Sequence, residues 1–346
     1  MEQEIIERSE APEITEFIIS LDGGGVRCML QLCILERLLA YFPQLLERAT
    51  LFAGTSAGSF LAMGLALGDF PLCRKLINKA NLEHIFSRTW GECVSGGWGV
   101  WRPKYDPQSL RETLEECLGD ATLAHAPKRL LVATFDLGGS DNSHDPTHRN
   151  YGVKHWSPKF YDNFADSPHL QKSLVEVGLE SSAAPTYFPS HNNCTDGGVT
   201  SNNPAAHAIS RLLREGAKRE QIALLSLGSG NRPLSVTPSS AQYWGMAQWI
   251  PLMLDLLMDG SSESATALCE DLLGERFHRC NPVLPRAIDL DDATAVEELQ
   301  EIATKYDLLP TIDYLYKYWF PELPRILPAE LEFSCSASAH DLQVEK

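Results

Sequence analysis

The sequence predicts an α/β protein, a three-layer α/β/α sandwich built on a mainly parallel central sheet. Three observations carry that expectation. Four short segments, 17–21, 50–53, 130–135 and 222–227, are near-continuous apolar runs, the pattern of parallel strands covered on both faces. Stretches with apolar residues at helical spacing separate them, and strands alternating with helices imply a layered sheet. Two of the strands also run directly into glycine-rich turns that open helices. Such turns lie at the C-terminal strand ends, where open α/β sheets bind ligands.

The elements follow in order. Phe17-Ile18-Ile19-Ser20-Leu21 reads as the first buried strand, and Asp22-Gly23-Gly24-Gly25-Val26-Arg27 follows at once. A helix over 26–41 comes next, on the spacing of Leu30, Ile34, Leu35, Leu38 and Leu39. Three glycines between strand and helix leave backbone N–H groups bare, a cradle for a phosphate or an oxyanion. Neither the dinucleotide spacing G-x-G-x-x-G nor a P-loop Gly-Lys-Ser/Thr ending is present. The second strand leads into Gly54-Thr55-Ser56-Ala57-Gly58 and a helix over 56–67. G-x-S-x-G is the nucleophile elbow, a sharp turn that lifts a serine hydroxyl to a helix N-terminus. Alone, the pentapeptide reads equally as a glycine-flanked turn.

Helices are expected at 71–81, 107–118 and 204–215, around the third strand at 130–135 and before the fourth at 222–227. Between them lie Glu180-Ser181-Ser182-Ala183-Ala184-Pro185-Thr186-Tyr187-Phe188-Pro189 and Thr195-Asp196-Gly197-Gly198-Val199, then Asn202-Asn203-Pro204. Three aromatic or apolar segments stand apart. Ser87 to Lys104 holds Trp90, Trp98 and Trp101 and reads as a lid, or as a loop packed on the core. Residues 243–258 form a strongly apolar helix pattern that either lines or caps a site, or is buried as core. Tyr314 to Phe320 is an interface anchor or a cover for the sheet edge.

Composition narrows the function classes. The formal net charge of −17 disfavours nucleic acid, which needs clustered Lys and Arg, and electrostatic docking to anionic membranes. Nine cysteines without a C-x-x-C pair argue against a disulfide framework and fit a reducing cytoplasm. No run approaches a membrane span, and residues 1–16 lack a signal-peptide core. His144 and His148 flank Pro146 in a polar stretch, so no metal site and no cofactor is expected.

Residues 22–28, 54–58, 181–188 and 196–198, in that order, resemble the patatin-like phospholipases, a family of lipid acyl hydrolases. The family pattern is Asp-Gly-Gly-Gly-x-Arg-Gly, Gly-x-Ser-x-Gly, Ala-Ser-x-Ala-Pro-x-Tyr-Phe and Asp-Gly-Gly or Asp-Gly-Ala. Cys28 departs from it, replacing the last glycine of the first motif. Ser226 to Gly230, Asp259 to Ser262 and Phe277 to Pro282 also look familial, so the likeness covers residues 15–305, after an acidic arm at 1–14 and before an aromatic segment and polar tail at 306–346. The resemblance implies acyl-ester hydrolysis of phospholipids or related lipids, with Ser56 as nucleophile and Asp196 as its base. Gly23, Gly24 and Gly25 would form the oxyanion hole. Arg27 would counter a lipid phosphate, steady the loop or make a structural salt bridge. Lipid is the implied partner, met peripherally through apolar or aromatic surface. Two other readings stay open. One is an activator-gated or catalytically silent lipid-binding effector, with an activating ligand or protein. The other is an ordinary Ser-Asp-His carboxylesterase, whose histidine would be His207, His278 or His340, the ones that follow Asp196.

Overall fold

The computed structural model describes residues 13–87, 102–138, 155–233, 241 and 243–325. Its centre is one sheet with the strand order β4-β3-β2-β1-β6-β7. The strands are β1 (Glu16–Leu21), β2 (Leu51–Thr55), β3 (Arg129–Asp136), β4 (Ser157–Asp162), β5 (Cys194–Asp196), β6 (Ile222–Leu227) and β7 (Phe277–Cys280). β3, β2, β1, β6 and β7 run parallel, while β4 and β5 pair antiparallel with β3.

Both faces are covered, and the apolar runs divide between them residue by residue. Ile19, Leu21, Phe52, Val132 and Leu225 point into one core, with the helices Cys28–Tyr41, Ala57–Ala66 and Val296–Lys305. Ile18, Leu51, Ala53, Leu131 and Leu224 point into the other, under the helices Ala205–Arg214 and Met253–Leu273. Alternate side chains reach opposite faces of a strand, so two apolar layers require an unbroken apolar strand. The expected mainly parallel, three-layer α/β architecture is the one observed.

The helix expected over 71–81 is two helices, Phe70–Leu76 and Lys79–Ile85. Asn78 breaks it by capping the second, its side chain accepting from the Asn81 N–H at 2.9 Å. The aromatic run at 314–320 is core. Trp319 packs 5.0 Å from the Phe17 ring, Phe320 stacks on Phe42 at 5.1 Å, and Arg48 lies over both Phe17 and Phe320. No described helix is long and apolar enough to cross a membrane. Residues 1–12, Trp90, Trp98, Trp101, His144, His148 and the tail after Phe333 lie outside the described residues.

Candidate active site

β3 is the ruler on which the site is laid out. Its residues Arg129 to Ala133 pair with β2, ending at Thr55 opposite Ala133. The next residue, Thr134, pairs with Asp196. β4 occupies the other edge of β3 throughout, so β5 must continue the sheet on the β2 side, just past the point where β2 ends. The elbow that begins at Ser56 and the carboxylate of Asp196 therefore meet, although they lie far apart in sequence.

Ser56 has φ 53 and ψ −132 and precedes the helix Ala57–Ala66. A positive φ in a residue with a side chain is strained, and it persists only where the surroundings enforce it. Gly58 allows the enforcement. A Cβ there would stand 2.4 Å from the Asp22 carbonyl oxygen, so only glycine lets this helix close onto the first glycine-rich turn. The Ser56 N–H donates to Ser181 Oγ at 2.9 Å, and Ser181 in turn donates to the Ala133 carbonyl at 2.7 Å. Ser181 stands where the family pattern has alanine. Motif matching gave it no role, because its partners belong to β3 and the elbow.

Asp196 is 2 % exposed. The Gly198 N–H donates to its Oδ1 at 2.7 Å. Burial pushes its pKa up to about 6, against hydrogen bonds from the Ser56 hydroxyl and the Gly198 N–H that favour the anion. A carboxylate so placed is a better base than an exposed one and is still ionised at neutral pH. The segment after it is fixed to the rest of the site. Thr55 Oγ1 donates to the Ser201 carbonyl at 2.7 Å, and Ser20 Oγ to Asn203 Oδ1 at 3.2 Å.

The triple-glycine turn lies against the serine: a Cβ on Gly23 would be 3.1 Å from Ser56 Cβ. The three glycines differ in what their N–H groups do. Gly23 donates to the Asn202 carbonyl at 3.0 Å and is already committed. Gly24 and Gly25 have no backbone acceptor among the described residues. Gly25 sits at φ +56 with an ideal Cβ only 2.1 Å from the Leu290 oxygen, so no other residue fits.

Asp22 holds this turn from beneath. Arg279 of β7 donates to Asp22 Oδ1 at 3.1 Å and Oδ2 at 2.6 Å, and Ser262 Oγ donates to Oδ2 at 3.3 Å. Gln31 binds the Asp22 carbonyl at 2.9 Å. The sequence likeness had reached the segments carrying Ser262 and Arg279, without their roles. Those roles depend on sheet order, which places β7 near β1 through β6.

Ser56 and Gly25 open into an apolar pocket with Phe60, Ile77, Ile85, Leu110, Phe188 and Leu290 on its walls. It encloses about 510 Å³, its open mouth included. Arg27 is not among the lining residues. It is 2 % exposed, its Nε donates to the Gly24 carbonyl at 3.4 Å, and no carboxylate among the described residues forms an ion pair with it. The salt-bridge role therefore finds no partner among the described residues. Burial, with the charge of Arg232, lowers its pKa to about 10, so it stays cationic at neutral pH.

Neither described histidine after Asp196 hydrogen-bonds its carboxylate, whose partners are Ser56 and Gly198. His278 is in β7, three strands from β2, or roughly 14 Å across the sheet. Its Nε2 pairs with Thr311 Oγ1 at 2.9 Å, its ring stacks on Tyr314, and burial lowers its pKa to about 4. His207 stacks on Phe160. These contacts remove both from the expected Ser-Asp-His arrangement; His340 lies outside the described residues.

Comparison with known proteins identifies the family. Residues 19–209 match the patatin-like phospholipase family. Protein teg of Priestia megaterium is 27 % identical over 87 % of this chain and 98 % of its own length. The putative sporulation hydrolase CotR of Bacillus subtilis is 28 % identical with the same coverage. A cGAMP-activated phospholipase of Escherichia coli is 27 % identical over 68 % of this chain and 70 % of its own. Among solved structures, VipD of Legionella pneumophila aligns over 84 % of this chain and 67 % of its own, with 15 % identity and a TM-score of 0.36. The chain belongs to the patatin-like phospholipase family. It is a hydrolase of ester bonds, and lipid acyl esters are its substrate class.

Proposed function

We propose that this protein is a phospholipase A-type lipid acyl hydrolase that works through a Ser56–Asp196 dyad and an acyl-serine intermediate. The observation that carries this reading is the register of β3, which sets Thr55 and Asp196 side by side and so brings elbow and carboxylate together. Ser56 Oγ attacks the ester carbonyl while Asp196 takes its proton. The carbonyl oxygen becomes an oxyanion beside the Gly24 and Gly25 N–H groups, with the helix N-terminus at Ala57 adding its dipole. The tetrahedral intermediate collapses, the proton passes to the departing alcohol, and the acyl group stays on Ser56. Water, deprotonated by Asp196, then releases the fatty acid and restores the serine.

A carboxylate is a weak base for a hydroxyl. Desolvation of Asp196 narrows the gap, and two preorganised donors carry much of the rest, each typically contributing about 2.7–4 kcal/mol. The apolar pocket suits an acyl chain. Arg27, cationic and without a carboxylate partner among the described residues, would supply positive potential behind the glycine turn, favouring the oxyanion or a substrate phosphate.

The test is labelling with a fluorophosphonate serine probe, read by intact mass. One adduct is expected on the wild type and none on Ser56→Ala. An unlabelled wild type would instead favour the activator-gated reading, and nucleotides, lipids and protein partners would then be screened for restoring the adduct.

A further inference from the structure

The segment from Tyr243 to Leu257 is apolar and faces outward. Met246, Ile250, Met253 and Leu257 recur at helical spacing and are 77, 59, 41 and 42 % exposed, with Tyr243 at 83 % and Leu256 at 55 %. Trp244 and Trp249 flank them, half-buried and packed edge to face at 5.3 Å. An exposed apolar stripe of this extent marks an interaction surface.

The stripe is continuous with the site. One turn further along the same helix, Met258 is buried, with its Cε 3.4 Å from the position a Cβ would take on Gly198. Ser261 donates to the Gly198 carbonyl, and Ser262 binds both Asp22 and Asn202. Whatever covers the stripe thus rests beside the residues that follow Asp196. Charge narrows the occupant. Arg232 pairs with Asp255 at 2.6 Å and with Asp259 at 3.1 Å, and from Pro233 to Glu275 the chain carries no further Lys or Arg. The stripe therefore offers an anionic surface no free cation of its own, on a chain of net charge −17. Tyr and Trp beside Met, Leu and Ile are the residues that settle at the depth of lipid head groups and upper acyl chains.

We propose that residues 243–257 seat the protein on a bilayer of zwitterionic or uncharged lipid, by apolar insertion and not by charge, next to the pocket that takes the acyl chain. The proposal rests on the lipid-ester reading above. The test is flotation with phosphatidylcholine vesicles, alongside turnover of a short-chain water-soluble ester. The double variant Met246→Glu and Ile250→Glu should lower the vesicle-bound fraction at least roughly tenfold, since two buried apolar side chains are lost. Ile250→Trp should raise it. Both variants should keep wild-type turnover of the soluble ester. Wild-type binding should be insensitive to salt and weaker when phosphatidylglycerol replaces part of the phosphatidylcholine. Unchanged flotation of the double variant would overturn the proposal. So would a wild type that floats with no vesicle and instead self-associates through this face, with the double variant monomeric. The two readings fail separately. No soluble-ester turnover and no fluorophosphonate adduct, with flotation still lost in the double variant, removes the constitutively active Ser56–Asp196 reading and keeps the docking face. Normal turnover without flotation does the reverse.

Discussion

Asp196 bears two opposed demands. In the proposed dyad its carboxylate must lie against Ser56 in a buried site, and burial disfavours the charge that would make it a base. With a folded pKa of about 6 and an ordinary value of 3.8, the folded state binds the proton more tightly than the unfolded state. This group therefore favours folding fully below pH 3.8, and that contribution is lost as pH rises through 6, at a cost of up to about 3 kcal/mol at neutral pH. Catalysis has the opposite sign, since only the anion accepts the serine proton. kcat/KM should fall about tenfold per pH unit below roughly pH 6. Asp196→Asn should abolish ester hydrolysis and raise the melting temperature at pH 7 together. A variant that is inactive but less stable than wild type would show that the burial cost is met elsewhere in the site. Full activity in Asp196→Asn would remove the carboxylate from the reaction. The two principal candidate residues could be singled out in the sequence because each sits in a local motif with its own turn, and the structure brings them together. Ser181 was not, since its two hydrogen bonds reach residues of the elbow and of β3 that only tertiary structure makes neighbours.

At the scale of elements, β1, β2, β3 and β6 were readable because burial on both faces leaves an unbroken apolar signature. β4, β5 and β7 left none. β4 is an outer strand carrying Pro158, tolerated where one edge is free. β5 has three residues, too few for any period. β7 reads Phe-His-Arg-Cys because its middle residues serve polar partners, Thr311 and Asp22. That last strand carries a sharp expectation. Arg279 is the counter-ion of a carboxylate 2 % exposed, and removing one partner of a buried pair typically costs about 3–5 kcal/mol. Arg279→Ala should therefore lower the unfolding free energy by that amount in urea titration. It should also reduce kcat, because Asp22 precedes the glycines of the oxyanion turn. A loss below about 1 kcal/mol would mean that Ser262 and solvent satisfy Asp22 unaided. The apolar 243–258 segment was legible as a helix but not as an exposed one. Periodicity reports which side chains share a face, and says nothing of whether the chain covers that face.

Across the whole molecule, the net charge of −17 keeps anionic surfaces at a distance, and the site is assembled from both halves of the chain. The proposed nucleophile directly follows β2, its proposed base arrives on β5, and Asp22, ahead of the glycine turn, takes its ion pair from Arg279 of β7. This order has a consequence for synthesis. A chain leaving the ribosome exposes Ser56 early and Asp196 well before its end, yet it lacks the residue that fixes Asp22 until β7 has emerged. If Asp22 must be fixed for the glycine turn to serve the proposed hydrolysis, the activity is expected only once β7 has joined the sheet. Fragments ending at Gly274 should carry both Ser56 and Asp196 and still take no fluorophosphonate adduct, whereas fragments ending at Arg325 should label. Labelling of the shorter fragment would show instead that the lipid-cleaving centre is armed while the enzyme is still being made.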